Sequence, residues 1–341
     1  MSEKIISSKR KSMFSDQHLQ HKLDALQQQY DLEAEKLKDL RRSYAIEAST
    51  IARFQLEKQI EQTEAEMDEL AQQIDKLERA SPVERLYRAL LKLNYREQTK
   101  KFRRIIPNES VAAFLIHGLP DHGQGWLLNR LVQQHVPNSI TAKVVPFNLN
   151  RLARKSDVPS LWRELSRKVG LGGQGLPADI ANRVYQWWQT QNVLLIFRDV
   201  DFLSEIYLRE LLENFWLPLT IKTTSANAIS QFQLIMFLID EKGCVSKWNV
   251  PFAPEEPNSN WQADTPVKLP EINGFSQEEL AKWLDYESDD LPSQLTEQLD
   301  QTVQTILENS DNGVPELAME QICYLSRCCD WYEEEKTWLK Y

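Results

Sequence analysis

Cysteine and histidine are scarce: four Cys and five His in 341 residues. Cys244 stands alone. Cys323, Cys328 and Cys329 share one C-terminal segment, with neither CxxC spacing nor a nearby histidine to complete a zinc set. That pattern argues against a metal or redox motif and leaves reduced thiols. Long apolar runs are absent too. No stretch approaches the ~18–20 residues of a membrane helix. Residues 1–17 are polar and lack the apolar segment of a secretion signal. The expectation is a cytoplasmic chain with no membrane partner. Positive charge is outweighed, since 40 Lys and Arg face 50 Asp and Glu, for a net charge of −10. Neutralising phosphates needs a clustered positive face, so general nucleic-acid binding is not expected. No GxSxG or HExxH signature is present. What the chain does have is an apolar fraction of 42%. Its length suggests about two structural units at ~100–200 residues each.

Residues 1–16 read as a disordered tail. Proline and glycine are then missing from a long stretch with a heptad seam. Leu19, Leu23, Leu26, Tyr30, Leu37, Leu40 and Tyr44 recur at four- and three-residue steps, interrupted only by Glu33. A second series runs through Leu56, Ile60, Thr63, Met67, Leu70, Ile74 and Leu77 in a different phase. The break falls at 45–55, where Ser49 and Thr50 suit a helix cap. Residues 17–81 are therefore expected to form an antiparallel helical hairpin, with one long helix carrying a skip as the alternative. A lone hairpin buries one narrow seam, and helices draw most of their stability from packing. The unit is therefore expected to pack on a second copy, a partner helix or the rest of this chain, as an oligomerisation or docking device, with a mere spacer as the alternative. Pro82 disfavours helix at Ser81 and ends the arm. Residues 82–106 read as one further helix. Leu86, Leu90, Leu91 and Leu93 form its apolar face, and Arg96, Lys100, Lys101, Arg103 and Arg104 form a basic end. Cations at a helix C-terminus are electrostatically ordinary.

The centre alternates strands and helices, which implies a parallel sheet covered on both faces. Val111 to His117 is a continuous apolar strand. Gly118-Leu119-Pro120-Asp121-His122-Gly123 follows, and a helix starts beyond it. Strand, glycine loop, helix is the setting of a phosphate-binding loop. A working loop continues with Lys, which neutralises the phosphates, and Ser or Thr, which ligates Mg²⁺. Here those positions hold Gln124 and Gly125. A second strand at 193–197 leads to Arg198-Asp199. A metal-holding carboxylate is expected there, and a guanidinium repels Mg²⁺. Three changes together point away from hydrolysis. Further strands are expected at 139–147 and 233–239, with helices at 159–169, 177–190 and 201–216.

On these residues the chain resembles the STAND branch of P-loop proteins, and within it the inactive STAND modules of bacterial conflict and signalling systems. Residues 91–102 resemble the helix leading into the first strand. Phe275 to Leu280 with Trp283 resemble the opening helix of the lid. Gly313-Val314-Pro315 resembles the lid's GxP motif. The resemblance covers about 82–341. It implies a P-loop-like α/β domain at 82–272 and a helical lid at 273–341. Residues 34–77 are similar to a helical region found beside effector domains. No effector is recognisable in this chain, so the resemblance implies one on a separate chain. The expected function is a non-catalytic adaptor or sensing module that binds protein partners through the hairpin and the degenerate module, with a homo-oligomer through the hairpin as a second route. The expected cofactor complement is none, or weak ADP or ATP independent of Mg²⁺, and no metal. The alternative is an ADP/ATP-responsive STAND-type switch without efficient hydrolysis, in which Gly118, Gly123 and Pro315 keep the cradle and Arg198 contacts a phosphate.

Three tempting patterns are discounted. Gly170 to Gly175 matches GxGxxG but follows a helix rather than a strand. His117 and His122 flank the glycine loop without a nucleophile at a useful spacing. Arg151, Arg154, Lys155, Arg163, Arg167 and Lys168 read as a solvated basic stretch.

Overall fold

The computed structural model of the chain describes residues 25–78, 82–151, 158–225, 231–253 and 261–341. The expected tail at 1–16, the seam positions Leu19 and Leu23, the side chain of Leu77, and Arg154 and Lys155 lie outside the described residues. The chain divides into two compact units. One holds the described residues up to Leu90 together with Glu287–Ser293, and the other holds Leu91–Tyr286 and Gln294–Tyr341. The division thus falls at Leu90 rather than Ser81. Apart from Glu287–Ser293, the segment expected as a lid belongs to the same unit as the sheet.

In the first unit, residues 25–46 form helix α1 and Thr50–Glu78 form α2. The turn between them is pinned by the Glu47 carboxylate, which accepts from Ser49 N at 2.8 Å. Ion pairs Arg41–Glu64 at 2.7 Å and Lys36–Glu66 at 3.6 Å run in opposite directions along the two helices, as an antiparallel hairpin requires. Tyr30, Leu37, Met67, Leu70 and Ile74 are buried together, with Leu26, Ala34, Ile60 and Ala71 packed against them. Leu40 and Leu56 are half-buried. The described seam positions are therefore packed helix on helix within the hairpin. Helix α3, Pro82–Leu90, completes the helical part of this unit.

The second unit is built on five parallel strands in the order β2-β3-β4-β1-β5. They are β1 Val111–His117, β2 Lys143–Asn148, β3 Val193–Arg198, β4 Leu234–Asp240 and β5 Val267–Lys268. Register is set by apolar runs buried on both faces: Val111 pairs with Leu234 and His117 with Asp240, while Val193 pairs with Leu234 and Phe197 with Leu238. The expected strand at 139–147 is shorter, because Asn138 turns left-handed at φ 50° and Ser139–Thr141 forms a 3₁₀ turn first.

The single helix expected over 82–106 is two. Helix α4 spans Arg96–Ile105, and the chain breaks before it at Asn94 (φ 45°) and Tyr95 (φ 56°). Left-handed backbone is tolerable for Asn. For Tyr95 it is held by burial and an edge contact to Phe275 at 5.8 Å between centroids. Helices α5 Gln124–His135, α6 Val158–Lys168 and α7 Pro177–Trp188 follow. Next come α8 Glu205–Leu211, a π-helical segment Leu212–Trp216 and α9 Leu217–Ser225. Helix 201–216 is thus interrupted rather than continuous. The C-terminal part adds α10 Gln277–Tyr286, α11 Ser293–Thr296, α12 Leu299–Asn309, α13 Pro315–Ser326 and α14 Trp331–Trp338. No helix among the described residues is long and apolar enough to cross a membrane.

Candidate functional site

The C-terminal ends of β1, β3 and β4 bring the glycine loop, Arg198 and Asp240 to one edge of the sheet. Here a parallel α/β fold concentrates backbone N–H groups at a helix start, which suits anion binding. Gly118 still belongs to the sheet, bridged to Ile272. Gly123 is left-handed at φ 73° and forms the N-cap of α5.

The Lys position is occupied in a different way. Gln124 is fully buried. Its Nε2 donates inward to Gly118 O at 3.1 Å, Leu119 O at 2.9 Å and Asp240 O at 3.4 Å. A lysine would bring a charge into the same carbonyl cage. The amide instead stitches the loop to β4, and its Oε1 is buried without a hydrogen-bond partner. The loop is also crowded from outside. A methyl group at Gly123 would overlap the Tyr95 hydroxyl and lie 3.5 Å from Met319 Cε.

The metal position is equally altered. A methyl group at Gly125 would sit 3.2 Å from Arg198 Nη1. The guanidinium therefore fills the space that a Ser or Thr hydroxyl and its Mg²⁺ would need. Arg198 Nη2 donates to the backbone oxygen of Tyr341. Gly125 offers no ligand atom and Arg198 opposes a cation, so these residues do not fit a magnesium-bound phosphate. Among the described residues no cluster of His, Cys, Asp and Glu suits a metal ion.

An acid lies beside the glycine loop. Helix α13 starts at Pro315, and Glu316 N donates to Asp121 O at 3.0 Å, docking the helix on the glycine loop. Burial, with repulsion from Glu335 and Asp121, pushes the Glu316 carboxyl up to about 7, while the Gly123 backbone N–H directed at it works the other way. Glu241, at the end of β4, is also raised to about 7, chiefly by burial. Arg198 draws it down, and Glu316, Asp199 and Asp201 push it up. Burial raises Asp199 as well. Asp201 is paired with Lys242 at 2.9 Å. The C-terminal segment packs beside this cluster. Trp331 and Trp338 lie 5.5 and 6.1 Å from Trp126 on α5, and Asn129 Nδ2 donates to Trp338 O at 2.9 Å.

Both glutamates titrate higher in the folded chain than the ordinary 4.5. The folded state therefore keeps protons that the unfolded state has released between these values. Their contribution to stability is complete below pH 4.5 and is lost as pH rises to about 7. Glu316→Gln removes that residue's share of this dependence and leaves that of Glu241. The variant is expected to melt like the parent at about pH 5 and to be more stable by about 2 kcal/mol at about pH 8. Calorimetric unfolding across that range measures it; a constant difference between the two proteins would contradict the proton linkage.

Of the residues expected from sequence, Gly118, Gly123, Gln124, Gly125, Arg198, Asp199 and Pro315 meet at this edge. Gly313 lies one turn before α13, where its carbonyl accepts from Phe275 N at 2.7 Å. His117 is buried, with Nε2 against Leu269 O at 2.9 Å, and burial lowers its pKa. His122 Nδ1 lies 2.9 Å from Pro120 O. Both serve the backbone. Gly170, Gly172 and Gly173 turn left-handed between two helices. The cysteines are free thiols. Sequence reasoning missed Glu316, Glu241, Tyr95 and Tyr341. Only Glu316, adjoining the proline motif, carried a usable signal.

Residues 90–239 match a family model described as inactive STAND. None of the curated proteins matches the chain. The solved structures similar to it include two from Aeropyrum pernix. The Aeropyrum pernix ORC1 protein, in complex with DNA, is 12% identical with a TM-score of 0.34 over 72% of this chain and 61% of that one. The Aeropyrum pernix ORC2 protein, as ADPNP–ADP complexes, is 11% identical with a TM-score of 0.36 over 70% of this chain and 68% of that one. The chain thus spans about three fifths of the first relative's length. Residues 90–239 are thus similar to the inactive STAND family, with Gln124, Gly125 and Arg198 at the positions where a working P-loop protein carries lysine, hydroxyl and metal-holding carboxylate.

Proposed function

We propose that this chain is a non-catalytic adaptor of a bacterial conflict or signalling system, acting in the cytoplasm and engaging protein partners through its hairpin and its degenerate STAND module. The observation that carries this reading is the self-filled cradle. Gln124 ties up the loop carbonyls, Arg198 occupies the metal space, and Glu316 presents a carboxylate to Gly123. An intramolecular anion at a helix start competes with any phosphate from solution, and its effective concentration is high because the chain itself holds it there.

The test is calorimetric titration with ADP and ATP, with and without Mg²⁺, alongside an ATP turnover assay. The expected result is no turnover and no affinity that Mg²⁺ strengthens. A micromolar affinity that requires Mg²⁺ and disappears in Gly123→Val would replace the adaptor with a nucleotide-gated switch.

A further inference from the structure

Helix α4 and the middle of α5 border an open cavity of about 450 Å³ lined by Arg96, Thr99, Lys100, Arg103, Arg104 and Arg130. Five of these six are cations and none is an acid, in a chain of net charge −10. Exposed cations alone would be an ordinary solvated face. Two buried groups make this one different. Thr99 and Arg130 are 7% and 9% exposed. Thr99 Oγ1 and Arg130 Nε are shut off from water, and neither has a hydrogen-bond partner. A buried donor left unmade costs about 1–3 kcal/mol, and an acceptor entering beside α4 would satisfy these two if their side chains turn toward it.

Arg130 is fixed in place for this task. Its Nη1 donates to Asn94 O and, at 3.3 Å, to Leu93 O, which anchors the guanidinium to the turn before α4. Burial and the charge of Arg96 hold its pKa down to about 10, a strain that an anion would relieve. His135 behind it is pushed down by burial and by the charges of Arg130 and Arg103. The carboxylate beside Lys100 is Glu97, 3.9 Å away with both side chains exposed. Such a pair contributes little.

We propose that this cavity binds a small anion carrying two or more phosphate groups, at a site separate from the glycine loop. The cavity volume lies within the ~300–1,000 Å³ of small-molecule pockets, more than one phosphate needs. Guanidinium forks and a hydroxyl match phosphate oxygens. A long polyanion fits less well. The chain as a whole carries a net charge of −10, which disfavours a strand that runs on beyond the cavity. Repulsion there reaches about 8 Å at physiological salt.

The probe is inorganic tripolyphosphate, titrated calorimetrically into the full chain at physiological salt. Saturable one-to-one binding is expected, and Mg²⁺ should weaken it by neutralising the probe. The double variant Arg103→Glu/Arg104→Glu changes only exposed side chains. It is expected to lower affinity at least tenfold with an unchanged melting temperature. Thr99→Val should lower affinity severalfold. Equal affinity for ATP would assign recognition to the phosphates, and tighter ATP binding would assign it to a nucleotide; both support the proposal. No saturable heat at millimolar probe overturns it, as does binding untouched by these variants. So does a single-stranded oligonucleotide that displaces the probe through the same residues at far lower concentration. Because the probe has no base and the variants avoid the loop, failure here leaves the adaptor reading intact. A Mg²⁺-dependent loop affinity would likewise leave this site standing.

Discussion

Arg198→Asp is expected to lower the melting temperature of the α/β unit by about 6–12 °C, although the change restores the residue type that a hydrolysing loop uses. The guanidinium lowers the titration of both Asp199 and Glu241. It donates to the Tyr341 backbone oxygen and covers Gly125. Replacing it with a carboxylate removes that cation and adds one more anion to a group that already includes Asp199, Asp201, Glu241 and Glu316. Uncompensated charge in a partly buried cluster costs about 3 kcal/mol, and each kcal/mol lowers the melting point of a unit this size by roughly 2–4 °C. Arg198→Lys keeps the charge and loses the fork, so it should cost about 1 kcal/mol. Scanning calorimetry of both variants decides it. A drop of under about 2 °C for Arg198→Asp would mean that the guanidinium does not balance these acids. For the same reason, changing Gln124→Lys, Gly125→Thr and Arg198→Asp together is not expected to suffice for nucleotide binding, which calorimetric titration of the triple variant with ATP and Mg²⁺ checks. Glu316 still faces Gly123, and α13 still covers the loop.

Much of the sheet was legible because β1, β3 and β4 are buried on both faces and read as unbroken apolar runs. Val111–His117 matches expectation residue for residue, and Leu234–Asp240 is displaced by one. The losses at Gln124, Gly125 and Arg198 were legible because a working loop allows so few residue types there. The way those positions are filled was not. Glu316 is 193 residues beyond Gly123, and no local pattern announces that a carboxylate from α13 will face a glycine N–H. The break at Asn94 and Tyr95 was hidden for a different reason. Leu86, Leu90, Leu91 and Leu93 continue a helical period through it, and the left-handed Tyr95 is imposed by contacts with Phe275 and the glycine loop.

The hairpin carries the other large effect. The hairpin was expected to bury one narrow seam, and there Leu37 is 2% exposed with Met67, Leu70 and Ile74 buried around it. That core is small, and helices of 22 and 29 residues keep their form by packing rather than propensity. Leu37→Ala should cost about 2–5 kcal/mol through lost contact and the cavity left behind. The double change Leu37→Ala/Leu70→Ala should unfold the arm altogether. Far-ultraviolet circular dichroism would then lose the helical signal of both arms, and limited proteolysis would cut within residues 25–78. The cooperative melting of the α/β unit should stay where it was. Loss of both signals together would mean that the two units fold as one. An arm that stays helical would mean that something other than this seam supports it. If the hairpin is the docking device proposed here, any partner retained by the parent chain should be lost with the arm, while tripolyphosphate binding to the basic cavity persists. Those two readouts separate what the helices hold from what the sheet holds.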